Sequence, residues 1–379
     1  MNEALLAVHR SACSVLAVRL LVTTALTMAI GSVAANAANL TSEQRALVAK
    51  YNISEADQVK LFGAVEVAEA PGSSEAGAQS HADPSGAAEG ATGLLAGTYV
   101  WVGADTYKSL GDRLTNINGG TGSLTGSFGG VAGVNSGFTL GDSDFGFQAG
   151  ASYGIYDWKG RLRIVPDATN PEEQLYYTAG VYKRGNLSSP DPSIVDRINF
   201  GVVYDGMVAK RWGINANDIE LAQVRASIGY ALTNSTEVGV WGATGVNHDM
   251  AAVTVAGAPG LLTRIQAATH ANAYLKHNFD FGGELTGYVG MFDGDDIGKW
   301  QVGAAGKVPL NDYLSMSASA NYVVPDAPDG PVGSGREQFD ASVGIAYHFG
   351  GNAASSTVAG NRRLPLLDVG SNRTFLVTD

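Results

Sequence analysis

Cysteine is almost missing from this chain of 379 residues: Cys13 is its one copy. That excludes a disulfide framework, and beyond residue 13 it excludes a thiolate nucleophile and any Cys-based metal site. Charge is also sparse, at 16% Asp, Glu, Lys and Arg against roughly 25% in ordinary domains. The basic share is the smaller one, with 24 Lys and Arg against 36 Asp and Glu for a formal net charge of -12. A nucleic-acid binder that tracks phosphates needs a basic stripe, so that partner class is excluded. Proline numbers only 12 and glycine follows no three-residue period, which excludes collagen. Past residue 37 no stretch of 18 consecutive apolar residues occurs, so an integral membrane role would have to be carried by strands.

What is abundant is glycine, 50 residues, alongside 45% hydrophobic residues. That is enough apolar mass for a sizeable core, and it suits a β-rich chain with many tight turns or one partly dissolved in lipid. At the N-terminus Arg10 and Arg19 precede an apolar run from Leu20 to Ile30 that ends at Ala35-Asn36-Ala37. This charged, apolar, small-residue order predicts a cleaved signal peptide over 1–37 and hence export, and with the strands that follow in the chain the expected destination is the outer membrane of a bacterial envelope. Capping patterns at Thr41/Gln44 and Ser54/Asp57 predict a short helical periplasmic segment over 38–67. An Ala/Gly/Ser-rich stretch with Pro71 and Pro84 predicts a flexible linker over 68–96.

From 97 to 350 the period becomes two. Over 263–277 the odd positions Ile265, Ala267, Ala271, Ala273 and Leu275 are apolar, opposite Gln266, His270, Asn272 and Lys276. Over 313–324 Leu314, Met316, Ala318, Ala320, Tyr322 and Val324 stand opposite Ser315, Ser317, Ser319 and Asn321. Over 339–349 Phe339, Val343, Ile345, Tyr347 and Phe349 stand opposite Asp340, Ser342 and His348. Over 198–204 and 222–230 the polar faces carry Arg197 and Asn199, then Gln223 and Arg225. Weaker alternation fills the gaps, for about twelve strands of roughly 8 to 13 residues, nearer to membrane-crossing length than to the roughly five or six of globular strands.

In hydrocarbon an open sheet edge is prohibitive, so such strands predict a closed antiparallel barrel of all-β class, apolar face outward and polar face inward. The expected lumen lining is Arg197, Asn199, Gln223, Arg225, Gln266, His270, Asn272, Lys276, Ser315, Ser317, Ser319 and Asp340. Trp158, Trp212, Trp300, Tyr177, Tyr204, Tyr313 and Tyr347 are the expected interfacial girdle. The inward bases Arg197, Arg225 and Lys276, with Lys183 and Lys307, suggest either a mildly basic lumen suited to anionic solutes or structural ion pairs with residues such as Asp205 and Asp340. A barrel of twelve strands is narrow, and the Gly-rich 117–141 stretch and the 351–379 tail are the candidate plugs.

The alternation Ala341, Val343, Ile345, Tyr347, Phe349 resembles the closing-strand signal of bacterial outer-membrane β-barrels. The segments Gly133-Val134-Asn135-Ser136-Gly137-Phe138, Gly146-Phe147-Gln148-Ala149-Gly150-Ala151-Ser152-Tyr153, Phe200-Gly201-Val202-Val203-Tyr204-Asp205, Leu221-Ala222-Gln223-Val224-Arg225 and Glu237-Val238-Gly239-Val240-Trp241-Gly242 are together similar to an uncharacterised barrel family carrying a domain of unknown function. The resemblance implies a fold and a compartment, and no activity.

The expected function is therefore passive, a porin-like channel or structural envelope protein, with the lipid bilayer, the barrel-assembly machinery and small solutes as partners. Catalytic residues, metals and cofactors are not expected. A barrel-embedded lipid hydrolase using His270, Ser315, Ser317 and Asp340 is the alternative, and a soluble secreted β-protein that binds a ligand or partner is the third reading. Asp293, Asp295 and Asp296 around Gly294 make half of a calcium loop without its closing glutamate. His248 and Asp249 read as loop polarity.

Overall fold

The computed structural model describes residues 95–112, 126–141, 143–158, 170–188, 191–252, 262–293, 297–324 and 337–379. The signal peptide, the helical segment and the linker expected over 1–96 lie almost wholly outside them, as does the Asp295-Asp296 half of the acidic turn.

In chain order the strands are β1 (Thr98–Lys108), β2 (Ser127–Thr139), β3 (Phe145–Tyr156), β4 (Glu172–Lys183), β5 (Ile198–Trp212), β6 (Asn217–Ala231), β7 (Thr236–Gly245), β8 (His248–Ala252), β9 (Leu262–Ala267), β10 (His270–Asn278), β11 (Glu284–Phe292), β12 (Trp300–Pro309), β13 (Leu314–Val324), β14 (Gln338–His348) and β15 (Val377–Thr378). Twelve of them form a closed antiparallel barrel, while β8, β9 and β15 form a separate small sheet. Closure is made by β1 and β14, in register from Tyr99 opposite His348 to Lys108 opposite Phe339, so the barrel has no free edge.

The two ends differ. Connections 140–144, 184–197, 232–235, 279–283 and 310–313 gather at one end, together with the start of β1 and the end of β14. Connections 109–126, 157–171, 246–269 and 325–337 gather at the other, together with the shorter 213–216 and 293–299. Apart from 184–197, the links at the first end are four or five residues long, whereas four links of 13 to 24 residues join strands at the second, the asymmetry of outer-membrane barrels.

The alternation read from sequence sorts the wall. Val102, Phe147, Val202, Ile228, Val240, Leu275, Val289, Val302, Met316, Val343 and Ile345 are exposed on the outside. The opposite face carries buried Gln148, Asn199, Asp205, Gln223, Arg225, Asn272, Gln301 and Asp340.

Three expectations are corrected here. The stretch 263–277 is two strands: β9 ends at Ala267, and β10 begins at His270 and joins β7 to β11. Ile265 is consequently 0% exposed rather than lipid-facing, packed in a cluster with Tyr176, Met207, Trp212, Leu221, Ala251, Phe375 and Val377 that closes the long-loop end. Trp212 also leaves the expected outer girdle. A register shift between Ala209 and Trp212, with Arg211 in the left-handed region at φ 57°, turns its ring into that same cluster. Trp158, Trp300 and Tyr313 stay exposed near strand ends, whereas Tyr204 lies at mid-strand beside Tyr177, ring centroids 6.3 Å apart. Of the Gly-rich 117–141 stretch, the described part is the wall strand β2 and its ends, not a plug.

Candidate functional site

The lumen is occupied by the chain itself. After β14 the segment 350–379 touches inward side chains of β1–β6, β10 and β14, which places it inside the cylinder. It enters among the short turns, where Val358 N–H donates to Asn234 O at 2.9 Å and Ala353 N–H to Asp312 O at 2.9 Å. It leaves at the long-loop end, where β15 pairs Val377 with Ala267 and Thr378 with Gln266.

Along the way the wall addresses the backbone of the tail. Arg184, buried just past β4, donates to three carbonyls: Ala359 O at 2.8 Å, Leu364 O at 3.0 Å and Pro365 O at 2.7 Å. Gln148 donates to Leu367 O at 2.8 Å and accepts from the N–H groups of Leu366 and Leu367. Asn135 donates to Leu367 O, Gln223 to Thr374 O, Asn278 to Ser355 O and Gln338 to Val377 O. Arg225 donates to Asp368 O at 2.6 Å, and Gly370 N–H donates to Thr178 Oγ1 at 2.8 Å. Two wall glycines let this chain pass close: a Cβ at Gly137 would lie 2.3 Å from Arg363 O, and one at Gly201 would lie 3.1 Å from Leu367 Cδ1.

The expected lining residues fall into three groups. Asn199, Gln223, Arg225, His270, Asn272, Ser315 and Asp340 are buried on the inner face, and Lys276 joins them half-buried. Ser317 and Ser319 face inward where the tail leaves space, Ser317 exposed and Ser319 half-buried against Ser342 at 2.8 Å. Gln266 and Arg197 are corrections. Gln266 is exposed on β9, outside the barrel wall, because its strand belongs to the small sheet. Arg197 ends the short 3-10 turn Val195–Arg197 at the rim and donates to Ala231 O at 3.3 Å.

The inward bases are already engaged. Arg225 meets Asp205 twice, at 2.8 Å and 3.1 Å, and the same carboxylate also accepts from Gln223 and Thr178. Lys276 lies 3.8 Å from Glu237 and donates to Val358 O. Lys183 turns to Val195 O and Ile198 O at the rim. Of the two sequence readings of these bases, the geometry of Arg225, Lys276 and Lys183 follows structural pairing rather than a free basic surface. At the long-loop rim Lys108, the last residue of β1, donates to Glu337 at 2.8 Å, and that hydrogen bond holds the Glu337 carboxyl below the ordinary glutamate value. The Ser193 hydroxyl and N–H do the same for Asp196.

One pairing was not anticipated. Ser315 Oγ lies 2.9 Å from Nε2 of His348, across the β13–β14 hairpin at the short-turn end. Ser315 is 1% exposed, and Nδ1 of His348 has no hydrogen-bond partner among the described residues, so neither substrate access nor an orienting acid accompanies the pair. The hydrolase set proposed from sequence is not assembled: His270 bonds Ala268 O through Nδ1, and Ser315 takes His348 instead. Among the described residues no group of three or more His, Cys, Asp or Glu is placed to hold a metal.

A search of curated proteins gives no match. Solved structures give likenesses at low identity. The KdgM porin in complex with disordered oligogalacturonate is 6% identical over 65% of this chain and 98% of its own, with a TM-score of 0.35. The Salmonella typhi outer membrane phospholipase dimer is 8% identical over 66% and 90%, at 0.37. The P. putida toluene transporter TodX is 10% identical over 66% and 89%, at 0.34. Likenesses this distant carry over neither an activity nor a substrate. The family model described as "Family of unknown function (DUF6666)" matches residues 98–377, the whole barrel together with its tail, and the chain belongs to that family.

Proposed function

We propose that this protein is an outer-membrane β-barrel channel for small solutes, held shut by its own C-terminal segment. The observation that carries this reading is the course of 350–379 through the lumen on contacts that are polar over most of their length. Arg184, Gln148, Asn135 and Gln223 hold main-chain groups, which water could replace if the segment moved. An apolar plug would have no such exchange open to it.

The outer-membrane placement is supported by the apolar belt. Exposed Val, Ile, Leu, Phe and Met occur on strand after strand around the circumference, whereas soluble monomers rarely expose more than a few hundred Å2 of contiguous apolar surface. The short-turn end would then face the periplasm and the long-loop end the exterior. The hydrolase reading lacks an assembled nucleophile: Ser315, which meets His348, is buried on the inner face, and exposed Ser317 makes no hydrogen bond to a histidine among the described residues.

The test is planar-bilayer conductance of the full chain beside a variant ending after Phe349, both first shown to be folded by heat-modifiable gel mobility. The full chain should stay closed with rare openings, and the shortened chain should give stable steps. Equal, continuous conductance from both would refute the plug, and silence from both would refute the channel.

A further inference from the structure

The tail does not fill the lumen evenly. It lies against β1–β6 and β10 and, through Gln338, the start of β14, while beside β12, β13 and the middle of β14 a run of small inward residues lies between Lys307 and Asp105. Lys307, Ser317, Gly344 and Gly103 share one register layer, and Ala305, Ser319, Ser342 and Asp105 share the next. Solvent reaches into this space: inward-facing Ser317 is exposed, and so is Asp368 of the tail, beside the Tyr99 hydroxyl at 3.3 Å.

Deeper in lies a cavity of about 80 Å3 lined by Trp101, Val131, Tyr156, Tyr176, Asp105 and Asp340, with Ser342 and the tail residues Val369 and Asn372. Asp105 and Asp340 are 5% and 3% exposed, and their carboxyl groups are close enough to interact directly. Tyr156 and Asn372 donate to Oδ2 of Asp105, at 2.7 and 3.1 Å. Apart from the contact between the two carboxyl groups, Oδ1 of Asp105 and Oδ1 of Asp340 have no hydrogen-bond partner among the described residues. The base that acts on Asp340 is Arg373, which is shared with Asp368 at 3.2 Å. The two carboxyl groups lie within hydrogen-bond reach of each other, so the pair shares a proton and keeps one negative charge, which Arg373 meets only in part and a positive guest would complete.

The lining says which kind. A hard metal ion wants six or more oxygens, and no group of three metal-binding side chains exists among the described residues. An alkylammonium wants few acceptors and the faces of aromatic rings, and here one Trp and two Tyr surround the carboxylates. We propose that this cavity is a binding site for a small primary ammonium, its N–H groups on Asp105 and Asp340 and its carbon end against Trp101, Tyr156 and Val131. The site reverses the solute preference that the inward bases suggested from sequence. It deepens the channel reading by naming a solute class, yet it requires only the tail-filled lumen and no movement of the tail.

The test is calorimetric titration of the full-length protein, folded in detergent, with methylammonium chloride, and separately with sodium and calcium chloride. Methylammonium should bind saturably, with calcium and sodium giving no comparable heat. Asp105→Asn and Asp340→Asn should each weaken binding at least about tenfold, the loss of one charge-assisted hydrogen bond. Asp293→Asn, in the loop after β11, should bind as the native chain does. Trp101→Leu keeps both carboxylates and should also weaken binding, so a folding defect in one Asp variant does not decide the matter. Unchanged affinity in both Asp variants, tighter binding of calcium than of methylammonium, or no binding by folded native protein would each overturn the assignment. None of these results bears on conductance of the shortened chain, so the site and the gate fail separately.

Discussion

The plug reading predicts that Arg184→Met loosens the tail while leaving the wall intact. Methionine keeps much of the side chain's length and removes its donors. Three carbonyls, on Ala359, Leu364 and Pro365, then lose their partner, and all three residues are buried. An orphaned buried acceptor costs roughly 1 to 3 kcal/mol, so the low end for three gives about 3 kcal/mol against the seated tail. At about 1.4 kcal/mol per decade this raises the population of the displaced tail by roughly a hundredfold. The ladder is untouched, because Arg184 lies beyond β4 and its backbone N–H donates to Asp144 O at 2.9 Å whatever the side chain. Channel openings per unit time in a planar bilayer should rise accordingly, and limited proteolysis should cut within 350–379. Arg184→Lys, a single point charge that cannot fork, should fall between the two. A variant that stays as silent and as protease-resistant as the native chain, with normal heat-modifiable mobility, would refute the claim that these hydrogen bonds hold the tail.

Four further outcomes follow from other contacts. Asp205→Ala should destabilise the barrel by about 3 to 5 kcal/mol in urea unfolding, because it strands a buried guanidinium, Arg225. Gly201→Val should expel the Leu366–Leu367 portion of the tail, the nearest atoms to a Cβ there, at a cost of about 1 to 3 kcal/mol, seen as new proteolysis with the strands retained. Ile345→Lys, on the exposed outer face, should lower folding into bilayers by roughly 2 to 4 kcal/mol and have little effect on a barrel that lives in water. The Lys108–Glu337 link supports the fold above the ordinary glutamate pKa and is lost as pH falls through the lowered folded value. Glu337→Gln should therefore cost a few tenths of a kcal/mol at neutral pH for this part-exposed pair and nothing once both states are protonated.

The wall was legible because a strand with two different faces writes its environment every second residue, as Phe339, Val343 and Ile345 do against Asp340 and Ser342. The break inside 263–277 was not. Ile265 and Ala267 continue the odd-numbered phase of Ala271, Ala273 and Leu275, so a change from packed interior to lipid face leaves the period intact. No turn residue marks Ala268-Thr269, where the chain is held instead by Ala268 N–H on Leu376 O at 2.8 Å. Trp212 was misplaced for a related reason, since an aromatic at a strand end suits a girdle until a left-handed Arg211 rotates it inward. The tail could be suspected but not threaded, because its wall contacts are largely to main-chain atoms, which every sequence possesses. Asp105 escaped notice because its face of β1 also carries Tyr99, Trp101 and Tyr107, a mixed row that hides one carboxylate.

A segment that follows the last strand and yet runs down the axis of the cylinder constrains the order of assembly. Its start is tied to the exit of β14, and its far end is stitched to β9 at the opposite rim. Either the seam between β1 and β14 zips shut around a segment already laid inside, or a finished ring must be threaded lengthwise by a chain that pairs only on arrival. In the first route the polar lining is never an empty pore during biogenesis, and the inner residues find their partners as the wall curls.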